Sequence, residues 1–284
     1  MSLIIEPWAF ANYTDNLPAV PANLYGTAVT PGVSNADGTA VTLLSALAFD
    51  VHYLVVGFAG FQINTAAAYS LADILIDPAG GTAWKSFIDD LTCGFSGGLT
   101  SLVDYTQMYH FPVYIKAGSS VGCQVRTSHT VAPGAGTSRV VAYAYGNPSR
   151  PDMWWCGSDV ETLGVTAATS TATSVTPGNT GAFGNWATIG TSTARYGAIE
   201  LGLNGTDATA ATLQYYFQVG RNNVQIPGVP TDSTFVTNLE QSFYSKCFGP
   251  NWCDIPQGTA IQVRATCSGT AEVFAGGAAI YGVY

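Results

Sequence analysis

Two short stretches constrain this chain more than anything else in it. TAVTPG at 27–32 recurs as TSVTPG at 173–178, which sets Gly32 and Gly178 146 residues apart. The same offset relates Gly38 to Gly184, Thr42 to Thr188 and Leu43 to Ile189. Downstream, YLVVGF (53–58) is echoed by AIELGL (198–203), with Gly57 on Gly202 at 145. AYSLADILID (68–77) is echoed by ATLQYYFQV (211–219), with Leu71 on Leu213 at 142. IKAGSSVGCQVR (115–126) matches IPQGTAIQVRA (255–265), with Gly118 on Gly258 at 140, and AYAYG (142–146) matches AAIYG (278–282), with Gly146 on Gly282 at 136. Each pair is weak in a chain with 32 glycines, but all keep one order while the offset falls steadily, and chance echoes do not stay collinear. The expectation is two homologous units, 23–146 and 165–284, joined by a Pro- and Trp-containing linker at 147–164 and preceded by an N-terminal arm at 1–22.

Each unit reads as β. In SSVGCQVRTS the residues Val121, Cys123 and Val125 recur with period two, and Ile261, Val263 and Ala265 do the same in TAIQVRATC. YLVVGF and LADILI are apolar on both faces, as strands covered on both sides are. Turn residues at TPG, DPAGG, KAGSS, APGAG, IPQG and CSGT fall at the spacing short strands need. Two segments carry helical spacing instead: Trp84, Phe87, Ile88 and Leu91 in GTAWKSFIDDL, and Phe235, Leu239 and Phe243 in STFVTNLEQSF. The fold class expected is all-β, with two tandem antiparallel β-sandwich domains of jelly-roll-like type from an internal duplication and an extended N-terminal arm. A jelly-roll and an Ig-like connection are both compatible with the spacing.

Charged residues make up 10% of the chain against about 25% in a typical soluble domain. So uncharged a surface favours self-association, which points to a homodimer or homotrimer. The net charge is −9 and the nine basic residues form no cluster, which argues against nucleic acid or an anionic membrane as partner. MSLIIEPWAF lacks the basic start of a signal peptide, and the apolar run 43–61 is broken by Asp50 and His52. The expectation is a chain without a leader and without a membrane span. The six cysteines form no C-x-x-C pair and no zinc spacing with a histidine, so no metal or other cofactor is expected. A Cys247–Cys253 disulfide is the one bond their spacing allows locally.

Chemistry is sparsely signalled, and no enzyme is expected. GFSGG (94–98) satisfies G-x-S-x-G with Ser96 in the nucleophile place, and Asp104 and His110 follow it, but no α/β alternation surrounds it. The carboxylates Asp73, Asp77, Asp89, Asp90, Asp159 and Glu161 form no pair of glycosidase type, and His52, His110 and His129 stand alone. The candidate interface residues are Ile4, Ile5, Trp8 and Phe10 in the arm, suited to crossing onto another subunit, and Trp154 and Trp155 in the linker. Trp186 and Trp252 are candidate stacking platforms for a glycan.

The stretches GNPSRPD…VETLGV and IPQGTAIQVRA resemble those of virion structural proteins of tailed bacteriophages, in the β-rich family of head cement (decoration) and tail-associated proteins. The resemblance runs over both units and specifies no catalytic residue. It implies a virion building block assembled in the host cytoplasm, a capsid cement or decoration protein bridging subunits of the major capsid protein. The alternative is a tail-fibre or adhesin-type module that binds a receptor glycan.

Overall fold

The computed structural model describes residues 8–11, 26–61, 67–97, 107–131, 138–146, 157–165, 172–207, 213–226, 232–236, 251–269 and 274–284. Among them there is no helix; the chain is all-β, in several mainly antiparallel sheets. The first half forms β1 (Trp8–Ala11), β2 (Thr27–Ala28), β3 (Val41–Leu44), β4 (Tyr53–Ala59), β5 (Ala67–Asp77), β6 (Lys85–Gly97), β7 (Gln107–Phe111), β8 (Ser120–Thr127) and β9 (Arg139–Gly146). The second half forms β10 (Val160–Leu163), β11 (Thr173–Ser174), β12 (Pro177–Gly178), β13 (Ala187–Thr191), β14 (Tyr196–Asp207), β15 (Leu213–Arg221), β16 (Val224–Gln225), β17 (Asp232–Val236), β18 (Asn251–Ile255), β19 (Ala260–Cys267) and β20 (Phe274–Val283).

In the first half, one sheet runs β1–β9–β4–β7, with β2 beside β1 on the same edge of β9, and another runs β3–β8–β5–β6. In the second half, one runs β10–β20–β14–β18 with β11 beside β10. The last has β12 and β13 on one side of β19 and β15 on the other, with β16 and β17 along the far side of β15. Strand β1 thus holds the place in its sheet that β10 holds in the other. Residues 8–11 of the expected crossing arm pair with β9 of their own chain, Trp8 opposite Gly146 and Phe10 opposite Ala144. A free edge of β9 supplies the backbone partners that such a segment needs.

Much of the pairing recurs between the halves. Val41, Thr42 and Leu44 face Cys123, Gly122 and Val121; Ala187, Thr188 and Gly190, 146 residues on, face Val263, Gln262 and Ile261, with the register shift at the same point. The N–H of Gly38 donates to Val125 O at 2.9 Å, and that of Gly184 donates to Ala265 O at 2.8 Å. Asn35 and Ser34 donate to Thr127 and His129; Gly181 and Thr180 donate to Cys267 and Gly269. Gly118 and Gly258, at φ +85° and +78°, donate to Leu47 O and Ser192 O, and the N–H groups of Leu47 and Ser192 donate to Ser119 O and Thr259 O. The register also moves two sequence matches. Gly202 faces Ala279 as Gly57 faces Val141, so β9 lies on β20 at an offset of 138 rather than 136. Phe217 faces Ala265 as Ala72 faces Val125, so β5 lies on β15 at an offset of 145 rather than 142.

Neither helical expectation holds over the residues described. GTAWKSFIDDL enters β6, where Ala72 and Ile74 of β5 face Leu91 and Ile88. Asp73 alone on β5 thus opposes both Asp89 and Asp90 on β6, so the extra residue of a β-bulge, not a helical turn, separates Ile88 from Leu91 by three. Asp90 takes up the distortion at φ +59°. Phe235 lies in β17, and Leu239 and Phe243 lie outside the described residues.

Two apolar clusters form. One is built on Leu54, Val56, Phe58, Ile74, Phe111, Val121 and Val140 of the first half, and it takes in Val160, Ala198, Ala279, Tyr281 and Val283 of the second. The other holds Ile199, Leu201, Phe217, Val263, Ala278 and Ile280. Alternate residues of β20 therefore serve different clusters, and the sheet containing it is buried on both faces.

Candidate functional site

Among the described residues, the two halves meet in an extensive joint. Strands β6 and β7 end their sheets, so one side of each has backbone groups with no strand to pair with. That edge stands on the outer face of β10–β20–β14, whose side chains satisfy the exposed groups. Thr92 N–H donates to the Tyr281 hydroxyl at 2.8 Å, and that hydroxyl donates to Asp90 O at 3.0 Å. His110 N–H donates to Glu200 Oε1 at 3.1 Å, and Thr162 Oγ1 donates to Asp89 O. The Tyr281 ring meets Tyr109 edge-on at 5.4 Å and Phe111 at 6.4 Å between centroids. Gly202 permits the approach: a Cβ there would lie 2.7 Å from Thr92 Oγ1 and from the Tyr281 ring. Nearby, Gly157 bridges to Val113 and accepts from Tyr114 N–H at 2.9 Å.

The electrostatics are those of a dry contact. Burial pushes the Tyr109 and Tyr281 hydroxyls far above the ordinary tyrosine range. Burial also raises Tyr53, with the Glu200 carboxylate adding to the shift, and lowers His110, whose Nδ1 lies 3.2 Å from the Tyr53 hydroxyl. Every tyrosine here is held neutral, which suits a permanent interface and leaves none activated as a nucleophile.

Of the residues singled out from sequence, Ile4, Ile5, Trp154, Trp155, Asp104 and Cys247 lie outside the described residues, and Trp8 and Phe10 lie on β1. Ser96 lies within β6, opposite Ala68, and not on a strand-to-helix turn. Trp186 is half-buried, with the Arg264 guanidinium 4.4 Å over its ring and its edge against Gly220. Trp252 on β18 is 51% exposed, on the same strand as Asp254, which forms a two-pronged pair with Arg195 at 2.7 Å. The carboxylates are occupied structurally. Asp77 accepts from Ala79 and Ala83 N–H, Asp73 from Gln124, Asp90 from Arg126, and Glu161 from Thr193 N–H and the Tyr196 hydroxyl. His52 is buried against Tyr114, and His129 Nδ1 accepts from Val131 N–H. Among the described residues no group of three or more His, Cys, Asp or Glu is placed to hold a metal, and no helix is long and apolar enough to cross a membrane.

The sequence reading missed Tyr281, Glu200, Thr92 and Gly202 as the residues of the joint. Two signals pointed there: the Gly57–Gly202 match, and a glutamate inside the apolar run AIELGL. A carboxylate in a strand buried on both faces needs a donor, and His110 N–H is that donor. In sequence, the chain matches no protein-family model and no curated protein.

Proposed function

We propose that this chain is a non-enzymatic structural protein of a phage virion, built of two jelly-roll sandwiches that arose by internal duplication. It binds across subunits of the capsid, including copies of the major capsid protein and of itself. The observation that carries this reading is the twofold recurrence of one strand order and one hydrogen-bond set. The orders β2–β9–β4–β7 with β3–β8–β5–β6, and β11–β20–β14–β18 with β13–β19–β15–β17, support the reading of a jelly roll in each half, an architecture of viral shells and lectins. A tandem pair lets one chain touch two neighbours, so the second contact is intramolecular once the first is made. The Ser, Asp, Glu and His candidates for chemistry that are described are engaged in structural hydrogen bonds or lie within a strand, which favours a building block over a hydrolase.

The test is binding to assembled capsids. Added to capsids lacking it, the protein co-sediments with them and raises their melting temperature, because a ligand of the assembled state stabilises that state. No co-sedimentation at a molar excess would overturn the reading. A second reading, a glycan-binding module, is favoured by Trp252, whose exposed ring lies beside a polar ion pair. Trp186 does not favour it, because Arg264 covers its ring. Binding to a glycan array that is lost in Trp252→Ala, without capsid binding, would establish the second reading instead.

A further inference from the structure

We propose that the chain also assembles head to tail with further copies of itself: the β17–β18 edge of one copy docks on the outer face of β1–β9–β4–β7 of the next. The inference rests on the duplication reading above. Within one chain the joint is made of unlike surfaces, an edge from the first half and a sheet face from the second. A contact of that kind leaves two surfaces over, the edge of the second half and the face of the first, and these are the counterparts of the pair that already fits.

The residues support the match position by position. Val55 faces Tyr143 as Glu200 faces Tyr281, so Tyr143 holds the place of the joint's central tyrosine. Gly57 holds the place of Gly202, the glycine that admits the close approach. On the edge, Ser233 faces Tyr216 as Thr92 faces Leu71, so Ser233 holds the register position of the residue whose backbone N–H the joint's tyrosine hydroxyl accepts. Val55 stands in the place of Glu200, so this face carries no carboxylate there that would need a donor.

The two contacts are not identical. Tyr53 and Tyr145 stand where Ala198 and Val283 stand in the second half, so the first half's face is bulkier. Tyr143 and Tyr145 stack at 6.4 Å, and Tyr145 meets Tyr53 edge-on at 6.3 Å. Aromatic side chains of this kind are enriched where proteins meet. On the opposing edge strand β18, Trp252 supplies an exposed aromatic ring.

Mixing two end-blocked variants tests the geometry. Tyr143→Arg blocks the face and Trp252→Arg blocks the edge; Val141→Arg, on the same side of β9 as Tyr143, replaces the first if it does not fold. Size is read by light scattering on the full chain, with folding checked by circular dichroism. The expected result is a wild-type species larger than a dimer, monomers for each variant alone, and a dimer for the equimolar mixture, which only an unlike contact produces. A monomeric wild type, variants that assemble like the wild type, or two folded variants that do not pair when mixed would each overturn the proposal. Wild-type protein that stays monomeric yet co-sediments with capsids sinks this contact and leaves the capsid role standing.

Discussion

At the scale of single residues, the recurring register preserves complementarity rather than identity. Asp73 and Gln124 face each other across β5 and β8, and the carboxylate accepts from the amide at 3.0 Å. At the corresponding positions Gln218 faces Arg264, and the amide oxygen now accepts from the guanidinium at 2.7 and 2.9 Å. The two pairs differ in both members, yet each is a cross-strand donor–acceptor pair, which the short distance between facing side chains favours. Asp90 is a partly buried acid under opposing electrostatic influences. Burial pushes its carboxyl up from 3.8 to about 6 against the pull of Arg126, with Asp73, Asp89 and Asp37 adding to the rise. An acid whose pKa is raised by folding holds its proton longer in the folded state. Stability therefore falls as pH rises from about 4 to about 6 and levels off above that. Asp90→Asn removes this contribution. Its melting temperature relative to wild type is expected to be higher at pH 7 than at pH 4, read by calorimetry at both values; an unchanged difference would rule out the assignment.

At the scale of elements, turns and bulges carry the repetition most faithfully. Gly118 and Gly258 sit at φ +85° and +78° in equivalent turns, and a Cβ at either would meet no atom within 4 Å. Replacement by alanine therefore costs only the left-handed backbone, about 1–2 kcal/mol. Gly118→Ala and Gly258→Ala are expected to lose the same stability in urea, whereas a turn that differed between the halves would separate them. These turns were legible because glycine at a positive φ leaves a mark in sequence. Strand β6 was not, because a bulge at Asp89–Asp90 puts Ile88 and Leu91 three apart and so imitates a helical face. Alternation was readable in β8 and β19, where Val121, Cys123 and Val125, and Ile261, Val263 and Ala265, are all buried. The β5–β15 match slipped by three because short apolar runs align with themselves in several registers, and only the facing strand selects one.

At the scale of the whole molecule, the joint makes the two halves one structure. Five residues of the second half belong to the first half's apolar cluster, and Tyr281 reaches Thr92 across 189 positions of chain. A single calorimetric transition is expected for the wild type. Gly202→Val drives a side chain into Thr92 Oγ1 and the Tyr281 ring, and is expected to split the transition in two as the halves melt separately. One transition in the variant would show that the joint contributes little to cooperativity. The sequence alone determined the β class, the recurring turns and most of the strands, because alternation and turn glycines are dictated by each residue's near neighbours. The tertiary structure decided which strand ends each sheet and which side chains satisfy its unpaired backbone. An unpaired N–H carries no mark in its own sequence, and its partner is chosen only when two distant surfaces meet.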